Sequence, residues 1–144
     1  MEGHNNSADF RAIVVGAESE TFISPATFLF QRIAVNYAVC QDLYEAVLEL
    51  AGNPARRGIV IGRLEHLSRE NGRLFEKAAK RGWVCCCLAK KISRGSRTQA
   101  IRAMKSGAIV VNNHSQLEDV VMRIMGSNPE TSSGANNVGF DNGD

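Results

Sequence analysis

The chain has no long apolar run. Nowhere in its 144 residues do about 18 apolar residues follow one another, which excludes a membrane-spanning helix. Its opening residues, MEGHNNSADF, lack the basic-then-apolar pattern of a secretory leader, so cytoplasmic residence is expected. The 4 cysteines include no C-x-x-C pair, which leaves neither a zinc knuckle nor a thioredoxin-like redox pair indicated. Cys85, Cys86 and Cys87 are consecutive and cannot bridge one another; they read as small apolar filling of a buried strand. A surplus of one charge is lacking too. Lys+Arg number 17 and Asp+Glu 15, and a net charge of +2 excludes nucleic-acid binding by bulk electrostatics. No G-x-G-x-x-G and no P-loop occurs, so dinucleotide and nucleoside-triphosphate readings have no support. Nor does any nucleophile stand at recognisable spacing from a base.

What is present is the composition of one ordinary globular domain, 44% hydrophobic and 22% charged, long enough to bury a core without staples. The stretch from Trp83 to Asn113 reads as a β-α-β unit. Val84–Leu88 (VCCCL) is apolar without alternation, as a parallel strand covered on both faces should be. Ser96 and Gln99 have capping-box spacing, and Ala100, Ile101, Ala103 and Met104 form an apolar stripe. Gly107 stands where a helix would close in the left-handed conformation, and Ala108–Val111 opens the next strand.

Upstream, Phe10–Val15, Val35–Val39 and Gly58–Ile61 read as strands. A helix is expected over Pro25–Ile33, with Ser24 as its cap and Pro25 in its first position. Gln41–Ala51 carries Leu43, Ala46, Val47 and Leu50 at helical spacing before Gly52-Asn53-Pro54 stops it. A loop of about ten residues, Gly62 to Asn71, is expected before a helix over Gly72–Lys80. Ser115 and Glu118 give a capping box for a last helix with Leu117, Val120, Val121, Ile124 and Met125 on its apolar face. Residues 1–9 and the Gly-, Asn- and Ser-rich tail 127–144 are expected to be disordered, leaving one domain over 10–126. Five strands alternating with five helices predict an α/β open parallel sheet with right-handed crossovers and helices on both faces.

The segment Arg97–Ala108, RTQAIRAMKSGA, followed by a strand, resembles the fourth helix and fifth strand of response-regulator receiver domains, nearest the FixJ-like group, which carry a sequence similar to AVRAMKAGA there. The resemblance extends by pattern over residues 10–126. It implies the flavodoxin-like (CheY-like) strand order 2-1-3-4-5.

Receivers place an acidic pair after the first strand, a phosphoacceptor aspartate after the third, a Ser/Thr after the fourth and a lysine after the fifth. The carboxylates hold a hard divalent cation, and the aspartate is the nucleophile whose developing charge cation and lysine neutralise. Here Gly16 and Ala17 stand where the acids begin, with Glu18 alone behind them. Gly62 stands at the phosphoacceptor position with Arg63 beside it. Leu88 replaces the hydroxyl, and the lysine position falls on Asn113 or His114. The resemblance therefore implies a degenerate receiver: no catalytic residue, no metal, no cofactor and no phosphorylation switch.

Two other features bear on function. His66 and His114, with Glu65 and Asn113 beside them, sit near expected strand ends; a metal or acid–base pair is conceivable there, but two ordinary loop histidines is the favoured reading. Lys90, Lys91, Arg94 and Arg97 crowd the loop before the fourth helix, and Arg102 and Lys105 continue along it. A helix N-terminus beside such charge suits a phosphate, an acidic peptide or a nucleic-acid backbone. No aromatics interleave with these cations, which disfavours single-stranded nucleic acid. In receivers the fourth helix, fifth strand and fifth helix form the dimer and partner surface. The function expected is thus a non-enzymatic signalling module that binds a protein partner or itself. The alternatives are a small-ligand regulator using a crevice at Gly16, Gly62, Leu88 and Asn113, where glycines would leave backbone open, or a nucleic-acid binder using residues 90–97.

Overall fold

The computed structural model describes residues 10–17 and 20–126; the expectations for 1–9, 127–144 and Glu18 lie outside the described residues. In chain order the elements are β1 (Phe10–Val15), α1 (Ile23–Arg32), β2 (Asn36–Cys40), α2 (Leu43–Gly52), β3 (Arg57–Arg63), α3 (Leu64–Leu67), α4 (Arg69–Lys80), β4 (Trp83–Leu88), α5 (Arg94–Lys105), β5 (Ile109–Val111) and α6 (His114–Gly126). All strand pairs are parallel, in the order β2-β1-β3-β4-β5. This is the flavodoxin-like topology, as expected. Among the described residues no helix is long and apolar enough to cross a membrane.

Strand periodicity divides the core. Ile13, Val15, Val60, Cys85 and Cys87 face α2, α3, α4 and α5. Their neighbours Phe10, Ala12, Val14, Ile59, Ile61 and Cys86 face α1 and α6. Side chains of successive residues point to opposite faces, so a strand buried on both sides must be apolar throughout. At Gly58 even a methyl group is excluded. A Cβ there would lie 2.5 Å from Cε3 of Trp83, its partner on β4, and 2.6 Å from the Arg11 carbonyl oxygen.

Several local expectations need correction. The stretch Gly62–Asn71 is not a loop. β3 continues through Gly62 to Arg63, and Leu64 and Leu67 then bury themselves in a helical turn, α3. Glu70, Asn71 and Gly72 follow with φ of 57°, 58° and 73°, a left-handed turn after which right-handed helix resumes. α5 begins before Ser96. Ser93 is its cap, accepting from the Ser96 N–H while the Ser96 hydroxyl accepts from the Ser93 N–H. Arg94 and Arg97 therefore belong to the helix, and only Lys90 and Lys91 to the loop. Ser115 does not cap α6; Asn113 does, its Oδ1 accepting from the Gln116 N–H at 2.9 Å. Ser24 does not cap α1, whose cap position is Phe22 without a side-chain bond. The stripe on α5 is also narrower than expected. Ala100 and Ala103 are buried, whereas Ile101 and Met104 are 46% and 53% exposed.

α1 and α5 end in the same motif with different residues. After α5, the Gly107 N–H donates to Met104 O and the Ala108 N–H to Ala103 O, with Gly107 at φ 94°. After α1, the Ala34 and Val35 N–H groups donate to Gln31 O and Phe30 O, with Ala34 at φ 60°. A left-handed alanine costs about 1–2 kcal/mol, and glycine's extra freedom in the unfolded chain offsets about 0.4–1 of that. Ala34 is exposed and loses no packing. Ala34→Gly should therefore raise stability by roughly 0.5–1 kcal/mol, read as a higher urea midpoint. A lower midpoint would refute this account of the cap.

Candidate functional site

At the carboxyl ends of β3, β4 and β5 the loops enclose a crevice of about 690 Å³. Doubly wound sheets bind ligands at this edge, because the strand-to-helix loops diverge there and leave a gap. β4 stops at Leu88, and β5 at Val111, whose carbonyl accepts from the Ala89 N–H at 2.8 Å. The next chain segments then turn outward into α5 and α6.

Of the residues singled out in the sequence, Leu88, Asn113 and His114 line this crevice, with Lys90 and Lys91 beside them. Gly16 and Gly62 do not. The expectation that they leave backbone open fails because other side chains occupy their space. A Cβ on Gly62 would lie 2.8 and 2.9 Å from Cδ2 and Cγ of Leu67, and 3.2 Å from Val15 O. A Cβ on Gly16 would meet Glu20 Oε1 and Phe22 Cζ at 3.2 Å and Ile23 Cδ1 at 3.3 Å. Ala17 is exposed. His66 borders a different groove, between α2 and α4, so the two histidines are not brought together.

Three of the charges beside the crevice, Arg63, Glu20 and Glu65, are paired with one another. The Arg63 guanidinium donates to Glu65, and its Nη1 lies 3.7 Å from Oε2 of Glu20, tying the β1–α1 connection to the end of β3. Burial works against the Glu65 carboxylate. Its own backbone N–H, the hydrogen bond and charge of Arg63, and His66 outweigh that, so its pKa lies below the ordinary value. The hydrogen bond from Arg63 to Glu65, together with the carboxylate charge, raises the Arg63 pKa. Oε1 of Glu20 is buried and has no hydrogen-bond partner. Among the described residues no three His, Cys, Asp or Glu side chains are grouped as a metal ion would require.

Glu20, Phe22 and Leu67 were not legible as site residues. Glu20 reaches Gly16 through a turn, and Leu67 reaches Gly62 through a helical turn that carries no motif of its own. The remaining cations, Arg94, Arg97, Arg102 and Lys105, lie exposed along α5, interleaved with the exposed Ile101 and Met104.

Topology and crevice together define an α/β protein of flavodoxin-like fold with its pocket at the strand ends. No protein-family model matches the chain, and no curated protein does.

Proposed function

We propose that this chain is an atypical receiver-like module of the response-regulator kind, which signals without phosphorylation by binding a second copy of itself or a protein partner through the surface around α5. The observation that carries the reading is Gly62. In the receiver domains that the sequence resembles, this position holds the phosphoacceptor; here the room for any side chain belongs to Leu67. Arg63 in turn holds the nearby carboxylates of Glu20 and Glu65, so a guanidinium sits where a divalent cation would need free oxygen ligands. With no group to phosphorylate, surface is what is left for signalling. On α5 the exposed Ile101 and Met104 stand among Arg97, Arg102 and Lys105, an apolar centre with a charged rim. β5 beside it is an edge strand of the sheet, and Met122 on α6 is likewise exposed.

Sedimentation over a range of protein concentrations, with and without magnesium and beryllofluoride, tests this. The wild type should dimerise with rising concentration, identically in both conditions. Ile101→Glu/Met104→Glu should weaken the dimer by about tenfold or more, since two apolar contacts at an interface centre are worth at least 1–2 kcal/mol. A response to beryllofluoride would sink the claim of phosphorylation independence. A double variant that associates like the wild type would sink the claim about α5.

A further inference from the structure

We infer that the crevice at the ends of β3, β4 and β5 binds a small phosphate monoester carrying a planar, largely apolar body, a nucleoside monophosphate being the simplest of that class. Dimerisation is not needed for such binding, so this site stands independently of the association proposed above.

Size is the first observation. About 690 Å³ falls in the middle of the range of small-molecule sites and is far more than a bare inorganic anion fills. The walls are the second. Phe22 and Pro25 at the start of α1, Leu88 at the end of β4 and Leu117 of α6 supply apolar surface from three parts of the chain. Such surface is wasted on inorganic phosphate and suited to a ring. Charge is the third. Arg63 is committed to Glu20 and Glu65, whereas Lys90 and Lys91 have no ion-pair partner among the described residues. Two adjacent ammonium groups on one loop match the two charges of a phosphate monoester better than the single charge of a carboxylate.

The polar groups supply the rest. The Oδ1 of Asn113 is taken by the Gln116 N–H, which leaves its amide N–H groups as donors at the crevice. Glu20, in the same wall, is committed elsewhere, its Oε1 packed over Gly16 outside the crevice and its Oε2 3.7 Å from Nη1 of Arg63. Apolar walls, two cations without ion-pair partners and the Asn113 amide together describe a nucleotide-like ligand more closely than any one of them does.

The test is an amide NMR titration of the full chain with adenosine 5′-monophosphate at low salt, beside parallel titrations with adenosine and with inorganic phosphate. The monophosphate should shift Leu88, Ala89, Lys90, Lys91 and Asn113 saturably. Lys90→Glu/Lys91→Glu, both exposed and neutral to folding, should raise the midpoint by about tenfold or more, with an unchanged melting temperature as the control. Adenosine and phosphate alone should each bind far more weakly. Three results would overturn the assignment. They are absence of shifts, a midpoint indifferent to the double charge reversal, or inorganic phosphate binding as tightly as the nucleotide.

Discussion

Gly62→Asp should lower the stability of the domain by about 3 kcal/mol or more and should bring no phosphorylation with it. The aspartate Cβ would enter the van der Waals shell of Leu67, at 2.8 and 2.9 Å from two of its carbons. Overpacking of this kind costs about 1–3 kcal/mol by itself. The carboxylate would then sit beneath a leucine that is 0% exposed, where an unpaired charge is more expensive than the steric clash. Neighbouring Arg63 offers limited relief, being held by Glu20 and Glu65. Removing the obstruction should separate the two costs. In Gly62→Asp/Leu67→Ala the penalty of the double variant should be smaller than the sum of the single penalties, by about 1–3 kcal/mol, because the second change makes the room that the first one needs. Urea denaturation of the four proteins measures this directly. A Gly62→Asp variant as stable as the parent, or one that takes up phosphate from acetyl phosphate and magnesium, would show that Leu67 does not block the position.

That obstruction shows where sequence reasoning stops. The parallel strands were legible because burial on both faces requires unbroken apolar runs, as in FRAIVV, GIVI and VCCCL. Strand order was not in that pattern; it came from the resemblance of Arg97–Ala108 to receivers, and the observed order agrees with it. α3 stayed hidden because a single turn presents only Leu64 and Leu67, three apart, between residues that read as loop. No periodicity marks the left-handed turn at Glu70–Gly72, and with it the true course of the connection was lost.

α5 was found, but its start was set too late and its buried stripe drawn too wide. Apolar bulk pointed to Ile101 and Met104 as core, yet the sheet approaches so closely that alanines, Ala100 and Ala103, fill the contact. The large side chains are displaced to the flank. The same error, read forwards, is the best sequence signal for a surface: large apolar residues flanking small ones on a basic helix. Of the site, Leu88, Asn113 and the two lysines were legible as strand-end residues. Glu20 was not, since its approach to Gly16 depends on how the connection to α1 folds back.

Alkali should unfold this protein, and the three adjacent cysteines of β4 should be a principal cause. Burial pushes the Cys85 and Cys86 thiols up to about 12, with Cys86 adding to the shift of Cys85. Burial, followed by Cys85 and Cys86, drives Cys87 still higher. Cys40 is raised to about 11 by burial and then by Glu49, Glu45 and Asp42. A thiol in an unfolded chain ionises near pH 8.5. Below that value native and unfolded states both hold the proton, and the thiols leave stability independent of pH. Above it the unfolded state releases protons that the native state retains, so stability falls as pH rises. The fall continues to the native pKa values, at on the order of 1 kcal/mol per pH unit for each buried thiol. Urea midpoints should accordingly be flat from about pH 7 to 8 and drop steeply between about pH 9 and 11. The comparison that isolates the thiols is Cys86→Ala. It should be less stable at neutral pH, through the lost sulfur contact, and yet show a shallower alkaline slope. The same burial makes the β4 thiols inert to disulfide reagents in the native state at neutral pH, because the attacking species is the thiolate. An alkaline slope identical in wild type and Cys86→Ala, or rapid labelling of the β4 cysteines without unfolding, would mean that the strand is far more open than its packing against both helical layers requires.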